Sequence, residues 1–294
     1  MSEILKKVTV VMPVIKTWTG RQVLTSADRK KLGISDTGGV ISLGHKKIVD
    51  PKEIAVFQTL RKRAERACAK VGVHFLGGYA VPMEKVKELL SELQAMKTEF
   101  EAEAKSLSQR IGQLTKQWVD EHEEWKEILA SSEASVRNLS FSYHAVVVQP
   151  VDGDTSTSEQ ASKLGDKLFD EVSKEITQYW EKSLKGRSQV TQRALRPLKH
   201  TLEKVRGLSF VDPRANKVAD YIEAMLGSLP KSGPLNAAET AKVAGLALAL
   251  TEGPEAIPDE LPVVEASNVE SIKVESEIAE SVAEPEPKKV ANWF

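Results

Sequence analysis

Between Lys182 and Arg206 the chain sets Lys182, Lys185, Arg187, Arg193, Arg196, Lys199, Lys204 and Arg206 against the single acid Glu203. On a helix, Arg193, Arg196 and Lys199 recur every three residues and share a broad face, with Arg206 as a candidate fourth member. Such a face neutralises phosphates, or the carboxylates of a protein. Arg187, Gln192, Arg193, Arg196 and Lys199 are therefore the candidate contact residues for a partner or a nucleic acid. The bland alternative stays open beside it: the same cations pair with acids in the body, on a partner or in the C-terminal segment. Aromatic residues that would stack bases are missing from this stretch. Tyr179 and Trp180, just before it, fall on the helical face of Leu164, Leu168, Val172 and Ile176.

A second candidate is the final run Lys288-Lys289-Val290-Ala291-Asn292-Trp293-Phe294. Trp293 and Phe294 at the end of an acidic tether supply much apolar area for few residues, which suits a docking peptide. An inert frayed end is the competing reading.

The spacings that carry catalysis or metal binding are absent. The chain has no GxxxxGK[ST], no GxGxxG after a strand, no HExxH, no CxxC and no GxSxG. No catalytic, metal-binding or cofactor-binding residue is expected, and the chain reads as non-enzymatic. Thr37-Gly38-Gly39 and Leu76-Gly77-Gly78-Tyr79 read as tight turns rather than phosphate cradles. His122-Glu123-Glu124 lacks the second histidine of a zinc helix and reads as a solvated polar face. Cys68, the lone cysteine, reads as a buried structural thiol before Gly72.

The most regular element is a helical arm over about residues 82–131, which holds about six heptads of apolar seam. One row runs Leu90, Lys97, Ala104, Ile111, Trp118 and Trp125, the other Leu93, Phe100, Leu107, Leu114, Glu121 and Ile128. An arm of roughly 48 residues would reach about 70 Å. The seam suits a coiled coil, satisfied either by later helices of the same chain or by a second copy. Glu99, Glu101, Glu103, Glu121, Glu123 and Glu124 lie where such a helix shows charge to water.

Around the arm, Val8 to Trp18 and Val40 to Val49 are extended in character, with a polar turn region over Thr25 to Gly39 between them. Asp50-Pro51-Lys52-Glu53 starts a helix running to Val71, with Ile54, Phe57, Leu60, Ala64, Ala67 and Cys68 on one face and Gly72 as the stop. Val73 to Val81 is a short strand broken at Gly77-Gly78, and Leu139 to Gln149 is another strand. Helices follow at about 159–185, 188–207, 213–228 and 237–250, with Pro197 kinking or splitting its helix.

The fold class is α+β and predominantly helical: a small antiparallel or mixed sheet, a long coiled-coil-like arm, a C-terminal helical bundle and a disordered acidic tail. Residues 1–150 hold the sheet and arm, 151–251 the helical region packing on it, and 252–294 the tail. A net charge of −1 hides a division between them. From Glu252 onward 11 acidic and 3 basic residues give −8, which leaves +7 on the first 251 residues. With five prolines and no aromatic residue before Trp293, that tail has the composition of a disordered segment. No run of about 18 apolar residues spans a membrane, and no signal block opens the chain. A single cysteine excludes an internal disulfide framework. The expected location is the cytoplasm, that of the host cell if the gene is phage-borne.

Lys16-Thr17-Trp18-Thr19-Gly20-Arg21, Gly44-His45-Lys46-Lys47-Ile48-Val49-Asp50-Pro51, Lys62-Arg63-Ala64-Glu65-Arg66, Val73-His74-Phe75-Leu76-Gly77-Gly78-Tyr79-Ala80-Val81-Pro82 and Val190-Thr191-Gln192-Arg193-Ala194-Leu195-Arg196-Pro197-Leu198 together resemble a bacterial, phage and mobile-element family, domain of unknown function 3150. The resemblance covers roughly residues 5–250 and leaves the tail outside. It carries no catalytic residue. It implies a gene neighbourhood with a MoxR-type AAA ATPase and a von Willebrand factor A, cobaltochelatase-like protein. The expected function is a non-enzymatic adaptor or scaffold for such a system, with the arm as a candidate homo-oligomer contact. The alternative is a nucleic-acid-binding accessory of phage or plasmid recombination or replication.

Overall fold

The computed structural model describes residues 3–34, 44–129, 138–153 and 155–259. By compactness the chain divides into Met1–Pro262 and Val263–Phe294, and the second unit lies outside the described residues. In chain order the elements are β1 (Val8–Lys16), β2 (Arg21–Val23), α1 (Ser26–Lys31), β3 (His45–Lys47), α2 (Pro51–Val71), β4 (Val73–Phe75), β5 (Gly78–Pro82) and α3 (Met83–Asp120). They continue with α4 (Lys126–Leu129), β6 (Ser140–Val146), α5 (Ser156–Ser162), α6 (Leu164–Tyr179), α7 (Arg196–Gly207), α8 (Arg214–Gly227) and α9 (Ala237–Glu252). The fold is α+β and predominantly helical.

The main sheet is antiparallel throughout, in the order β4-β5-β1-β6. β-Branched Val8, Val10 and Val11 fill the first half of β1, buried because both faces of the sheet are covered there. The segment Val73 to Val81 is a hairpin: Phe75 faces Gly78, and the two turn residues Leu76 and Gly77 have φ of 49° and 77°. Positive φ at both positions is the type I′ geometry that matches strand twist. Gly78 has a different duty, since a Cβ there would lie 2.7 Å from the Val11 carbonyl oxygen. Two hydrophobic clusters flank the sheet. One gathers α2, α3, Phe141 and one side of β1 and β5, and the other takes Leu5, Val8, Val10, β4 and the helices from α5 to α9.

Asp50 caps α2 as its sequence predicts, its carboxylate accepting from the Lys52 amide, and the buried face is Ile54, Phe57, Leu60, Ala64, Ala67 and Cys68. Glu53 does not return to the cap amide; it accepts from Arg110 at 3.2 Å. The arm is corrected in length and in one of its two rows: Leu93, Phe100 and Leu107 of the second row are buried as expected. α3 ends at Asp120, so its 38 residues span about 57 Å. In its last turn the Trp118 indole donates to the Lys47 carbonyl, and past it the His122 Nδ1 lies 2.9 Å from the Trp118 carbonyl, where the chain turns and Ile128 and Leu129 bury. The buried stripe is Leu89, Leu93, Met96, Phe100 and Leu107. It packs antiparallel along α2, with Phe100 edge-on to Phe57 at 5.0 Å and to Phe141 at 5.6 Å. The expected row through Leu90, Ala104 and Ile111 only flanks that stripe, and Trp125 is 48% exposed.

Elsewhere the helices are shorter than the sequence suggests. The 159–185 helix breaks at Lys163 into α5 and α6 and ends in a wide π turn over Trp180–Leu184. The 188–207 helix begins only at Arg196, because Pro197 has no amide to donate and so sits in a first turn. Gln192–Leu195 forms a 3-10 turn before it. Thr25 to Gly39, read as a turn region, contains α1, capped reciprocally by Thr25 and Asp28. Residues 35–43, which include Thr37-Gly38-Gly39, and 260–294, which include Trp293 and Phe294, lie outside the described residues. Within the described chain Ile257 buries beyond α9.

Candidate interaction surface

The cations of the Lys182–Arg206 run divide into two groups. Lys204 and Arg206 are structural. The Lys204 ammonium, its side chain 2% exposed, donates to Glu171 Oε2 at 2.9 Å and to Glu175 Oε1 at 3.4 Å, both on α6. Glu171 Oε1 in turn accepts from the His74 amide at 2.9 Å and lies 2.8 Å from the His74 Nδ1. One carboxylate thus joins α7, α6 and the outer strand β4. Burial would raise its pKa, but the Lys204 charge and the His74 and Lys204 hydrogen bonds hold it below the ordinary glutamate value. Arg206 turns to α8, donating to Asp220 and Glu223 at 2.6 Å each. Its charge is thus committed to α8, unlike those of Arg193, Arg196 and Lys199.

The second group faces water. Lys182, Lys185, Arg187, Arg193, Arg196 and Lys199 are all exposed. None has an ion pair with a described acid. What holds the backbone beneath them is apolar anchoring and a few hydrogen bonds. Gly186 takes φ +74° to turn the chain out of the π turn. Val190 then bridges Leu235, whose amide donates to the Val190 carbonyl at 2.8 Å, and Leu195 and Leu198 bury in the core. Gln192 belongs to this scaffold: its side-chain amide donates to the Pro230 carbonyl at 2.8 Å. Arg187 is tied weakly to the Lys182 carbonyl at 3.4 Å. Along α7 the outward positions are Arg196, Lys199, His200 and Glu203, so the positive row ends where Glu203 meets His200 and Lys70.

A cleft of about 520 Å³ opens beyond that end, between the C-termini of α2 and α7 and the start of α3. Lys70 faces Glu203 at 3.8 Å and Lys85 faces Glu88 at 3.9 Å, so its walls neutralise themselves. No hydroxyl, thiol or imidazole side chain lines it. Cys68 is buried in α2, its thiol pushed up to about 12 by burial, with Glu92 and Glu65 adding to the shift. Among the described residues no group of three His, Cys, Asp or Glu side chains is placed to hold a metal ion, and no helix is long and apolar enough to cross a membrane.

Two ion clusters have no counterpart in the sequence reading. Lys46 and Asp28 meet at 3.0 Å with both side chains buried, and the Lys46 ammonium also donates to the Ile128 carbonyl at 2.8 Å. Arg214 gathers Asp212, Asp166 and Glu255 around one guanidinium lying 5.2 Å over the Phe169 ring. The Thr25-x-x-Asp28 spacing signalled the first, as a capping box. Nothing in local sequence signals the second, whose acids come from three separate elements.

A model of the family described as "Protein of unknown function (DUF3150)" matches residues 5–252. No curated protein and no solved structure matches the chain.

Proposed function

The chain belongs to the DUF3150 family, and from that footing we propose that it is a non-enzymatic, cytoplasmic adaptor that docks an acidic partner surface on the cationic row Arg187, Arg193, Arg196 and Lys199. The observation that carries this reading is the unequal fate of the charges. Lys46, Lys204, Arg206 and Arg214 are each spent on joining elements, whereas the row is held out on a pinned backbone with no described acid against it. Keeping like charges side by side disfavours the folded state unless something anionic visits them. The apolar stripe of α3 is used within the chain, so the arm serves as a spacer with a charged outer face. The partner that the family resemblance implies is a MoxR-type AAA ATPase with its von Willebrand factor A protein, in a phage or mobile-element setting.

Pull-down with those two proteins at low and moderate salt tests the reading. Capture that is lost in the Arg193→Glu, Arg196→Glu variant supports it, and capture that ignores the substitutions, or no capture by the native chain, removes it.

A second reading rests on the same row: nucleic acid as the anion, in phage or plasmid recombination. Four cations contacting phosphates would give a slope of log affinity on log salt of about −3 to −4. Binding to duplex or single-stranded DNA with that slope would favour this reading over the adaptor.

A further inference from the structure

We infer that the outer edge of β6 is a dimer interface, on which a second copy of this chain adds its own β6 antiparallel across a twofold axis at Tyr143. The two edges of the main sheet are treated differently. At β4 the edge is closed: the His74 amide donates to Glu171, and α6 packs beside the strand. β6 forms the other edge, and its outer backbone groups meet no partner among the described residues. Which groups those are follows from β1. The Val11 carbonyl oxygen is turned toward Gly78 on β5, whereas the Val14 carbonyl accepts from the Ser142 hydroxyl on β6. Alternate residues of β1 serve alternate neighbours, so Met12 and Val14 bond across to His144 and Ser142. Pro13, which has no amide to donate, falls on the β5 side, past the last β1–β5 pair at Val11–Tyr79. The backbone groups of Phe141, Tyr143 and Ala145 therefore point away from β1.

Edge strands are commonly blunted by a lysine, a proline or a bulge. Residues 140–148 carry no Lys, Arg, Asp, Glu or Pro, and β6 pairs with β1 residue for residue, without a bulge. Val146 and Val147 beside this edge are 40% and 62% exposed. Self-pairing is what such an edge fits. Tyr143 is the middle residue of β6 and faces outward, so a twofold axis there lets it exchange both backbone bonds with its copy, with Phe141 opposite Ala145 on either side. An uncharged strand meets its copy with no like charges opposed. The arm supports the same arrangement. On one flank of its buried stripe Glu99 reaches Arg63 of α2, and on the other Gln94 accepts from the Tyr143 hydroxyl at 2.7 Å. The ridge of Lys87, Leu90, Gln94, Lys97 and Glu101 thus lies on the β6 side. With the axis passing near Gln94, the two ridges run antiparallel, and Lys87 and Glu101, equally spaced about Gln94, come opposite each other. Both are exposed. Lys87 has no ion pair with a described acid, and Glu101 has only its neighbour Lys97 at 3.7 Å, so these charges complement one another across the axis.

Sedimentation velocity of the full chain from about 1 to about 100 µM tests the interface without any other protein. The expected result is a concentration-dependent monomer–dimer equilibrium. Ala145→Pro removes an outward amide and no bond to β1, so it should weaken the dimer at least about tenfold while the melting temperature stays near native. Lys87→Glu and Glu101→Lys should each weaken it about tenfold, because each change occurs twice across the axis, and the two together should restore it. Should Ala145→Pro melt early, the charge reversals, at exposed helix positions, carry the test alone. A monomer at the highest concentration overturns the inference and leaves the edge to a strand of another protein. A dimer indifferent to a folded Ala145→Pro overturns it, as do charge reversals that fail to compensate one another.

Discussion

The Lys204 ammonium lies 2.9 Å from Glu171 Oε2 with only 2% of its side chain exposed, and this pair ties α7 to α6. Removing one member leaves the other charged in a poorly hydrated place, a larger penalty than the pair's own net contribution. Lys204→Met should therefore lower unfolding free energy by about 3 kcal/mol, read as a shift in the urea midpoint. Glu171→Leu combined with Lys204→Met should cost less than the sum of the single changes, because no lone charge remains. Additive costs would show that the two residues act independently.

Acid should loosen the region around Asp28. Burial would raise its carboxyl, but the Thr25 amide, the Lys46 ammonium and the Thr25 hydroxyl together bring it down from the usual 3.8 to about 2. A carboxyl with a depressed folded-state pKa contributes stability that is complete above the unfolded value and drains as pH falls toward the folded one. Glu171, also lowered, acts in the same direction. Stability should thus fall between about pH 4 and pH 2. Asp28→Asn should flatten part of that slope and reduce stability at neutral pH, where it removes the Asp28–Lys46 ion pair. An unchanged acid limb in Asp28→Asn would assign the slope to other carboxylates.

The local signals in the sequence translate well where one segment decides its own structure. The Asp50-Pro51 start and the six buried positions of α2 are each set by neighbours a few residues away. The arm shows where that logic stops. A period between 3 and 4 residues is common to the two rows chosen from sequence and to the observed stripe, and only tertiary packing, seen in Phe100 against Phe57 and Phe141, fixes the face that buries Leu89 and Met96 in place of Leu90 and Lys97. The candidate surface was half legible for a similar reason. Composition marks the cations, but whether Arg206 faces water or Asp220 depends on α8, and whether Gln192 offers its amide outward depends on Pro230. Residues that pair across 14 to 48 positions leave no local trace.

The β4–β5 turn should be improvable. Leu76 takes φ 49°, a conformation that costs an L-residue with an apolar side chain about 1 kcal/mol and suits Asn. Its side chain is 39% exposed, so little packing is lost on replacement. Leu76→Asn should raise stability by about 1 kcal/mol. Gly78→Ala should do the reverse by at least about 2 kcal/mol, because the added methyl meets the Val11 carbonyl and the Met12 side chain. Thermal denaturation of the two variants reads both signs, and a destabilised Leu76→Asn would mean that the leucine side chain holds the hairpin more than its backbone strains it.

Gln192 and Arg193 adjoin in sequence yet should fail differently. The Gln192 amide is committed to the Pro230 carbonyl at 2.8 Å on a half-buried side chain, so it positions the row rather than touching what binds there. Gln192→Ala should cost about 1 kcal/mol of stability, seen as a lower melting temperature, with heparin retention close to native at a temperature where the chain is folded. Arg193 and Arg196 are exposed and reach no described acid, and substitutions at such sites usually stay within about 0.5 kcal/mol. Arg193→Glu with Arg196→Glu should therefore leave the melting temperature in place while sharply reducing retention. If the double variant instead melts early and Gln192→Ala loses retention with its stability intact, the division between scaffold and contact residue would have to be reversed, with the amide as the recognising group and the guanidinium groups as its support.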